Sequence, residues 1–302
     1  MIHVIGNATI DTVIRLERFP VPGETLVAKP GTREDFGGKG ANQAVAIARC
    51  GAPVRLLAAV GRDEIGRRVR AHLMAEGVAT DGLWEWWGHS DRCIIYVDHA
   101  GENTIVSLID AATAFDPLAT TAIAHEIGAG DYVLLQGNLR PDVTRRCTDL
   151  AKEHGAITVL NPSPTYPARE YDWPRIDLAV VNRVEAIELG GDADPGRAAA
   201  ALLEAGAGAV VLTAGAAGAT WIGRGRRIHV AAPPVCAVET VGAGDVFCGV
   251  LVASLAGAQS PETALSCAVE AAAVAVTRSG VVSSFPSAAE MRQILRLKEQ
   301  VR

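Results

Sequence analysis

The sequence predicts an α/β fold in which helices cover both faces of a central, mainly parallel sheet that carries a small second sheet. Short runs that are almost continuously apolar alternate with longer runs rich in Ala and Leu. Strands covered on both faces have such apolar runs, and strands that alternate with helices build parallel sheets. Two further segments alternate apolar and polar residues and contain Pro or turn residues, which is typical of antiparallel strands.

Each apolar run is predicted to be a strand and each Ala-rich run a helix. The predicted strands are residues 2–6, 54–61, 131–137, 156–161, 178–182 and 209–213. The predicted helices are residues 63–77, 140–155 and 194–206, each ending at a Gly, and a buried helix at 260–280. Glycine suits a helix C-terminus because it adopts the left-handed backbone found there.

The two antiparallel segments are residues 11–36 and 92–110, and the second reads as a hairpin around "DHAGEN". We expect them to form a small sheet that projects from a single domain spanning residues 1–302. The apolar face of this sheet would need cover from a ligand or a second subunit. The alternative is an ordinary antiparallel edge extension, because isolated hairpins are rarely stable without packing.

Composition and charge argue against several classes of protein. The net charge is -6 and no basic cluster contains interleaved aromatic residues, so no nucleic-acid partner is expected. The start, "MIHVIGNATID", has no basic segment and no long apolar run, so we expect neither a signal peptide nor a membrane partner. The cysteines form no C-x-x-C pair and have no metal-ligand spacing to a histidine, and we interpret them as buried thiols of a cytoplasmic protein. They are Cys50, Cys93, Cys147, Cys236, Cys248 and Cys267.

A glycine-rich helix start lies at residues 37–51, "GGKGANQAVAIARCG". Paired glycines allow a backbone to approach a ligand closely, and Lys39 and Asn42 could contact a charged group and hydroxyls. The order and spacing of the Walker motif are missing. Taken alone, such a start is more often structural than functional.

Two more polar motifs follow predicted strands. Asn182 and Glu185 are three residues apart and would share a face of a first helical turn, where Glu185 could hold a water of Mg²⁺. The alternative is an acidic residue that simply favours a helix N-terminus. Thr213 ends a strand before "TAGAAG", whose hydroxyl and amides suit a phosphate, although an ordinary β-turn is the alternative.

The most informative stretch is "ETVGAGDVFCGV", in which Gly242, Ala243 and Gly244 precede Asp245. If a helix begins here, its first amides could stabilise the charge of a transferred phosphoryl group. Asp245 could then accept a proton from an attacking hydroxyl. The alternative is an ordinary helix N-terminus, where Asp is favoured.

In combination and order, these motifs resemble the ribokinase-like (PfkB-type) carbohydrate kinase family over essentially the whole chain. The resemblance rests on "GGKGANQA", N-x-x-E, "TAGAAG" and "GAGD", on the start "GNATID…FPVPGET" and on the close "AVTRSGVVSSFP". It implies a three-layer Rossmann-like (ribokinase-like) fold with the small sheet as a lid, and a homodimer formed through that lid. It also implies transfer of the γ-phosphate of ATP to a hydroxyl of a small sugar, with Mg²⁺ as cofactor.

The resemblance also implies a role for individual residues. Asp245 would be the catalytic base, with the amides of Gly242, Ala243 and Gly244 as the anion hole. The residues that would hold the sugar are Asp11, Gly38, Lys39 and Asn42. The residues on the nucleotide side would be Asn182, Thr213, Gly215 and Gly218, with Glu185 supporting Mg²⁺ through water.

The chain departs from the family pattern at several positions. Glu239 stands where many members have the Asp that helps to coordinate an activating K⁺ in ribokinases, and Gly280 and Ser284 match other positions of that monovalent cation site. Thr9 stands where ribokinases have Asn, and Asn138 where they have a Glu near the sugar. Substituted polar groups change which hydroxyls are satisfied, so we include Asn138 among the sugar-binding candidates.

Several alternatives remain open. A nucleoside kinase could stack a base on tryptophans near the lid, although "WEWW" more often marks an edge strand. These tryptophans are Trp84, Trp86 and Trp87. A sugar-phosphate kinase would need extra basic residues, for which the candidates are Arg15, Arg18 and Arg33. A different class is a catalytically silent ligand-binding protein on a kinase scaffold, against which the presence of Asp245 argues. A Rossmann dehydrogenase would need a G-x-G-x-x-G motif after the first strand, where "HVIGNATID" stands instead.

Overall fold

The computed structural model describes residues 1–99, 102–122 and 126–299. The strands are β1 (Ile2–Ile5), β2 (Thr9–Arg15), β3 (Arg33–Gly37), β4 (Val54–Gly61), β5 (Leu83–Trp86), β6 (Arg92–Val97), β7 (Asn103–Leu108), β8 (Tyr132–Gln136), β9 (Ile157–Asn161), β10 (Leu178–Asn182), β11 (Ala209–Thr213), β12 (Ala219–Gly223) and β13 (Arg226–Val230). Nine of them form one sheet in the order β13-β12-β11-β10-β9-β8-β1-β4-β5, and the others form a second sheet in the order β3-β2-β6-β7.

The large sheet is parallel from β11 to β5, and β12 and β13 extend it in antiparallel fashion. All six predicted strands lie in the parallel part, as β1, β4, β8, β9, β10 and β11. The strands β12 and β13, at one edge, were not predicted. Several of their side chains are half-exposed or exposed, so the apolar run that marks a covered strand is missing.

Helices pack on both faces of the large sheet. They are α1 (Lys39–Arg49), α2 (Glu64–Ala75), α3 (Asp110–Ala114), α4 (Pro117–Thr120), α5 (Pro141–Glu153), α6 (Arg183–Gly190), α7 (Pro195–Glu204), α8 (Ala243–Ala256), α9 (Pro261–Ala275) and α10 (Ala288–Glu299). Alternate strand residues enter two separate cores: Val4 packs with residues of α1, α8 and α9, and Ile5 packs with residues of α5 and α7. The predicted three-layer α/β fold is therefore confirmed, and the predicted buried helix is α9.

The second sheet is built from the two segments that break the strand–helix alternation. Strand β2 pairs antiparallel with β3 and parallel with β6, and β6 and β7 form an antiparallel pair. It is a separate sheet and not an extension of the large one. Residues 100–101, at the tip of the predicted hairpin, and residues 300–302 lie outside the described residues. That the chain forms a single domain over residues 1–302 stays a prediction.

The sequence interpretation of the cysteines is wrong in part. Cys147, Cys248 and Cys267 are buried, as predicted, but Cys50 and Cys93 are only partly buried and Cys236 is exposed. Cys236 lies in the irregular segment between β13 and α8, which runs along the surface. In the part of the chain that the structure describes, no helix combines the length and apolar character needed to cross a bilayer.

The tryptophans belong to the edge of the large sheet. Trp84 and Trp86 lie in β5, the edge strand opposite β13. Trp86 is buried, Trp84 lies 6.3 Å from the Phe115 ring, and Trp87 is exposed. The "WEWW" stretch therefore corresponds to a packed edge strand.

Candidate active site

The carboxyl ends of the parallel strands gather polar side chains at one edge of the large sheet. Asn182 and Thr213 end β10 and β11 and lie opposite each other, and Gln136 and Asn161 do the same at the ends of β8 and β9. The strand order reverses between β1 and β8, because β4 lies on the other side of β1. Ligands of open α/β sheets bind beyond the strand ends at such a reversal.

The paired glycines before α1 are required by the local backbone. Gly38 has a φ of 87°, and a Cβ there would lie 2.7 Å from the Cα of Ala8. A Cβ on Gly37 would lie 2.2 Å from a carboxylate oxygen of Asp11. These close approaches bring the start of α1, with Lys39 on its first turn, against the Asp11 strand.

Asp245 lies in the first turn of α8, is only 5% exposed, and is surrounded by side chains of α1. Asn42 Nδ2 donates to its Oδ2 at 2.9 Å, and Gln43 Nε2 donates to its Oδ1 at 3.1 Å. Lys39 Nζ donates to Oδ1 at 3.4 Å. Burial alone lowers the pKa of Lys39, but the charges of Asp245 and Glu185 outweigh it, so the pKa lies above its ordinary value. Lys39 therefore remains a cation beside Asp245.

The start of α8 presents unpaired backbone donors. The amides of Gly242 and Gly244 donate to no group among the described residues, whereas the amide of Ala243 donates to the Thr240 carbonyl at 3.3 Å. A Cβ on Gly244 would meet no atom within 4 Å, so the space beside it is open. Two of the three predicted anion-hole amides are thus free, and the third makes one long bond.

A network of buried amide side chains, which the sequence analysis did not select, supports Asp245. Gln43 Nε2 also donates to Asn161 Oδ1 at 3.1 Å, and Gln43 Oε1 accepts from Gln136 Nε2 at 2.8 Å. Asn161 Nδ2 donates in turn to the Val180 carbonyl at 2.9 Å. The available signal was a polar residue at the end of an apolar strand, as at Gln136 and Asn161, and the Gln within "GGKGANQA".

Asp11 lies in β2, opposite Asp35 of β3 and Cys93 of β6. Its Oδ1 accepts from Thr9 Oγ1 at 2.6 Å. Burial raises the pKa of Asp11, the charges of Asp35 and Asp245 act in the same direction, and hydrogen bonds from Thr9 and Cys93 oppose them. The net result is a carboxyl group whose pKa lies above its ordinary value.

Two predicted sugar-binding residues carry buried acceptors without a partner. They are Asn42 and Asn138, whose Oδ1 atoms are buried and unpaired among the described residues. A buried amide oxygen without a donor costs free energy, and a sugar hydroxyl is a donor that would relieve this cost.

The predicted nucleotide-side residues lie at the ends of β10 and β11. Asn182 and Glu185 form a reciprocal capping box, since Asn182 Oδ1 accepts from the Glu185 amide and Glu185 Oε2 accepts from the Asn182 amide, both at 2.9 Å. The other oxygen of Glu185 accepts no hydrogen bond from the described residues. Thr213 Oγ1 lies 3.4 Å from the Val181 carbonyl, and Gly215 and Gly218 both have positive φ in the turn that follows.

Each of the predicted monovalent cation ligands contacts another group of the protein. Arg33 Nη2 lies 3.0 and 3.3 Å from the two carboxylate oxygens of Glu239. The amide of Gly280, a donor, contacts Glu239 Oε2 at 3.1 Å, and Ser284 Oγ donates to the Val281 carbonyl at 2.7 Å. The residues present therefore do not fit a bound monovalent cation.

Known proteins are similar to this chain over its whole length. The model of the pfkB family of carbohydrate kinases matches residues 1–288. A ribokinase of Haemophilus influenzae is 31% identical over 97% of both chains. A deoxyribokinase of Salmonella typhi is 32% identical over 99% of both chains.

Solved structures give the same result. A ribokinase of Thermotoga maritima has a TM-score of 0.88 at 28% identity and covers 98% of this chain and 99% of its own. A ribokinase of Arabidopsis thaliana, solved with ribose and ATP, has a TM-score of 0.88 at 25% identity, with 98% of both chains covered. Since the family model and full-length relatives agree with the fold and with the motifs at the strand ends, this chain belongs to the pfkB family of carbohydrate kinases.

Proposed function

We propose that the protein transfers the γ-phosphate of ATP to a primary hydroxyl of a pentose, with Asp245 as the general base. The observation that carries this proposal is the buried Asp245 carboxylate, held by Asn42 and Lys39 beside the free amides of Gly242 and Gly244. Phosphoryl transfer to a hydroxyl needs a base and a cluster of donors at one point.

In the proposed reaction, Asp245 accepts the proton of the sugar hydroxyl while the hydroxyl oxygen bonds to the γ-phosphorus. The bond from that phosphorus to the β–γ bridging oxygen breaks, and ADP leaves. The amides of Gly242 and Gly244, joined by Ala243 when it exchanges its long bond to Thr240, donate to the transferred phosphoryl group. Closure of the small sheet as a lid would exclude water and limit ATP hydrolysis.

The other predicted residues would hold the two substrates. Asp11, Asn42 and Asn138 would supply acceptors for sugar hydroxyls. Gly38 would allow the backbone to approach the sugar closely, and Lys39 would supply a positive charge beside it. The nucleotide side would be formed by Asn182, Thr213, Gly215 and Gly218. Mg²⁺ fits here because one oxygen of Glu185 is free to hold one of the waters that the ion keeps. When bound, the ion would neutralise charge on the phosphates.

Ribose and 2-deoxyribose are the first acceptors to test, because curated relatives are named ribokinase and deoxyribokinase. ADP release would be measured with ATP and Mg²⁺ across pentoses, hexoses, nucleosides and sugar phosphates. We expect turnover of a pentose. Turnover restricted to nucleosides or sugar phosphates would contradict the pentose acceptor, and saturable binding without any turnover would favour a silent binding protein.

The raised pKa of Asp11 gives a prediction for sugar binding. On acidification, this carboxyl should become protonated at a higher pH than an ordinary aspartate, and it then accepts one hydrogen bond fewer. We therefore expect KM for the sugar to rise, while KM for ATP stays constant, as the pH falls from about 8 to about 5. Asp11→Asn should raise KM for the sugar by roughly tenfold or more, since it removes hydrogen bonds to a charged group.

The Asp11→Asn variant is also the control for the pH series. Its KM for the sugar should depend less on pH, because the amide does not titrate. A wild-type KM that stays flat over this range, or an equally steep dependence in the variant, would show that another group causes the effect.

The lid also supports the proposed homodimer. Ile105, Val106 and Leu108 of its edge strand β7 are 54%, 48% and 47% exposed. Val106 and Leu108 share the face opposite to Asp11, because side chains alternate along a strand. We expect light scattering at about micromolar concentration to give twice the chain mass of 31.5 kDa, and Val106→Asp to give the monomer. A monomeric wild type would contradict the dimer.

A further inference from the structure

The Arg33–Glu239 contact links the lid to the loop that leads into α8. Both oxygens of Glu239 lie within hydrogen-bond distance of Arg33 Nη2, and the side chains are 35% and 28% exposed. Arg33 begins β3 of the lid. Glu239 is three residues before the anion-binding turn, which is the name we use for Gly242, Ala243 and Gly244 at the start of α8. The contact thus places a fixed positive charge beside this turn.

The protein holds both partners of this pair in place. The amide of Glu239 donates to the Val276 carbonyl at 3.2 Å, and its carboxylate accepts from the Gly280 amide at 3.1 Å. Two residues along β3, Asp35 Oδ2 accepts from the Val281 amide at 2.8 Å. Strand β3 and the loop of Glu239 are therefore both attached to the segment around Gly280.

A monovalent cation and the Arg33 guanidinium would compete for the same carboxylate. An ion bound to Glu239 would face a positive charge that already contacts both oxygens, and like charges at this distance repel strongly. The guanidinium carries the same single positive charge as K⁺ and is covalently part of the chain. It also needs no dehydration at each binding event.

We infer that Arg33 takes the place of an activating monovalent cation, so that this kinase needs no such ion. The inference rests on the proposed kinase function for its activity readout only. In this interpretation the lid, through Arg33 of β3, also neutralises the charge of Glu239 next to the anion-binding turn.

The first test uses the wild-type protein and replaces the cation. Rates would be measured in K⁺, Na⁺ and tetramethylammonium chloride at one ionic strength of about 0.1 M, with every component supplied free of K⁺. We expect the three rates to agree within about twofold. A tenfold difference in rate would correspond to a change of about 1.4 kcal/mol in the activation barrier. Activation by K⁺ of tenfold or more would overturn the inference.

The second test removes the guanidinium with Arg33→Met, which keeps the length of the side chain. In tetramethylammonium chloride we expect a fall in kcat of about tenfold, because Glu239 is left unneutralised beside the developing charge. Partial recovery in K⁺ would support the inference further. An unchanged kcat would overturn it, since Arg33 would then be an ordinary surface ion pair.

The matched control is Arg68→Met, which removes the contact of Arg68 Nη1 with Glu34 Oε2 at 2.9 Å. Glu34 also lies in β3, but this pair is exposed and, among the residues that the structure describes, makes no contact with the loop of Glu239, so kcat should stay unchanged. Melting temperatures in KCl and tetramethylammonium chloride give a readout that needs no activity. A wild-type midpoint that rises with K⁺ would overturn the inference even if no sugar is turned over, while failure of the kinase proposal alone would leave that midpoint insensitive to K⁺.

Discussion

Replacing Asp245 by Asn is expected to lower kcat by about a thousandfold, because general bases contribute two to four orders of magnitude. The asparagine has the same shape but cannot accept the proton of the attacking hydroxyl. Asp245 is buried, so bulk water does not readily take over that task. KM for the sugar should change little, since Asp11 and Asn138 are untouched. The measurement is initial-rate ADP release over a range of sugar concentrations.

Two checks make this result interpretable. Asp142→Asn changes an exposed aspartate in the first turn of α5 and should leave kcat unaltered. The melting temperature of Asp245→Asn shows whether loss of activity is loss of fold, because the new amide places an N–H or an oxygen opposite two donors, Asn42 and Gln43. A folded variant that keeps more than a tenth of the wild-type kcat would rule out Asp245 as the base.

The parallel part of the fold could be predicted because strands that are covered by helices on both faces have almost continuously apolar sequences. The edge strands β12 and β13 have half-exposed side chains and lack that signal. The pairing of β2 with β6 is parallel and joins residues about eighty positions apart, so no local pattern specifies it. The existence of a second sheet was predictable, but its strand order was not.

The candidate site likewise contains some residues that the sequence indicates and others that it does not. Asp245 and Lys39 stand in glycine-rich helix starts, where a charged residue is conspicuous. Gln43 and Gln136 are uncharged and lie next to or within apolar runs, and they meet only when α1 packs over the end of β8. The Arg33–Glu239 pair joins positions 206 residues apart, so no local pattern in the sequence indicates that the two side chains meet.

Replacing Gln43 by Glu should move the acid limb of the kcat–pH profile upward by about one unit or more, because a like charge beside a carboxylate disfavours its ionisation. The wild-type Gln43 donates to Asp245 Oδ1 at 3.1 Å, so it holds that oxygen in place. In the variant, two carboxyl groups share a proton and titrate as a pair. On acidification, activity should therefore be lost at a higher pH in the variant than in the wild type, and it should recover as the pH rises.

Two further variants separate this electrostatic effect from a loss of packing. Gln43→Met keeps the length but has no donor and no charge, so kcat should fall without a large shift of the profile. Gln136→Glu places the same new carboxyl group one amide further away, where it contacts Gln43 rather than Asp245, and its shift should be smaller. If Gln43→Glu folds and its acid limb coincides with that of the wild type, the Gln43 hydrogen bond does not position the base. A purely structural role of the buried amides predicts lower stability in both variants and no shift of the kcat–pH profile that depends on the distance from Asp245. A shift that is large in Gln43→Glu and smaller in Gln136→Glu would therefore show that the buried amides act on catalysis through Asp245.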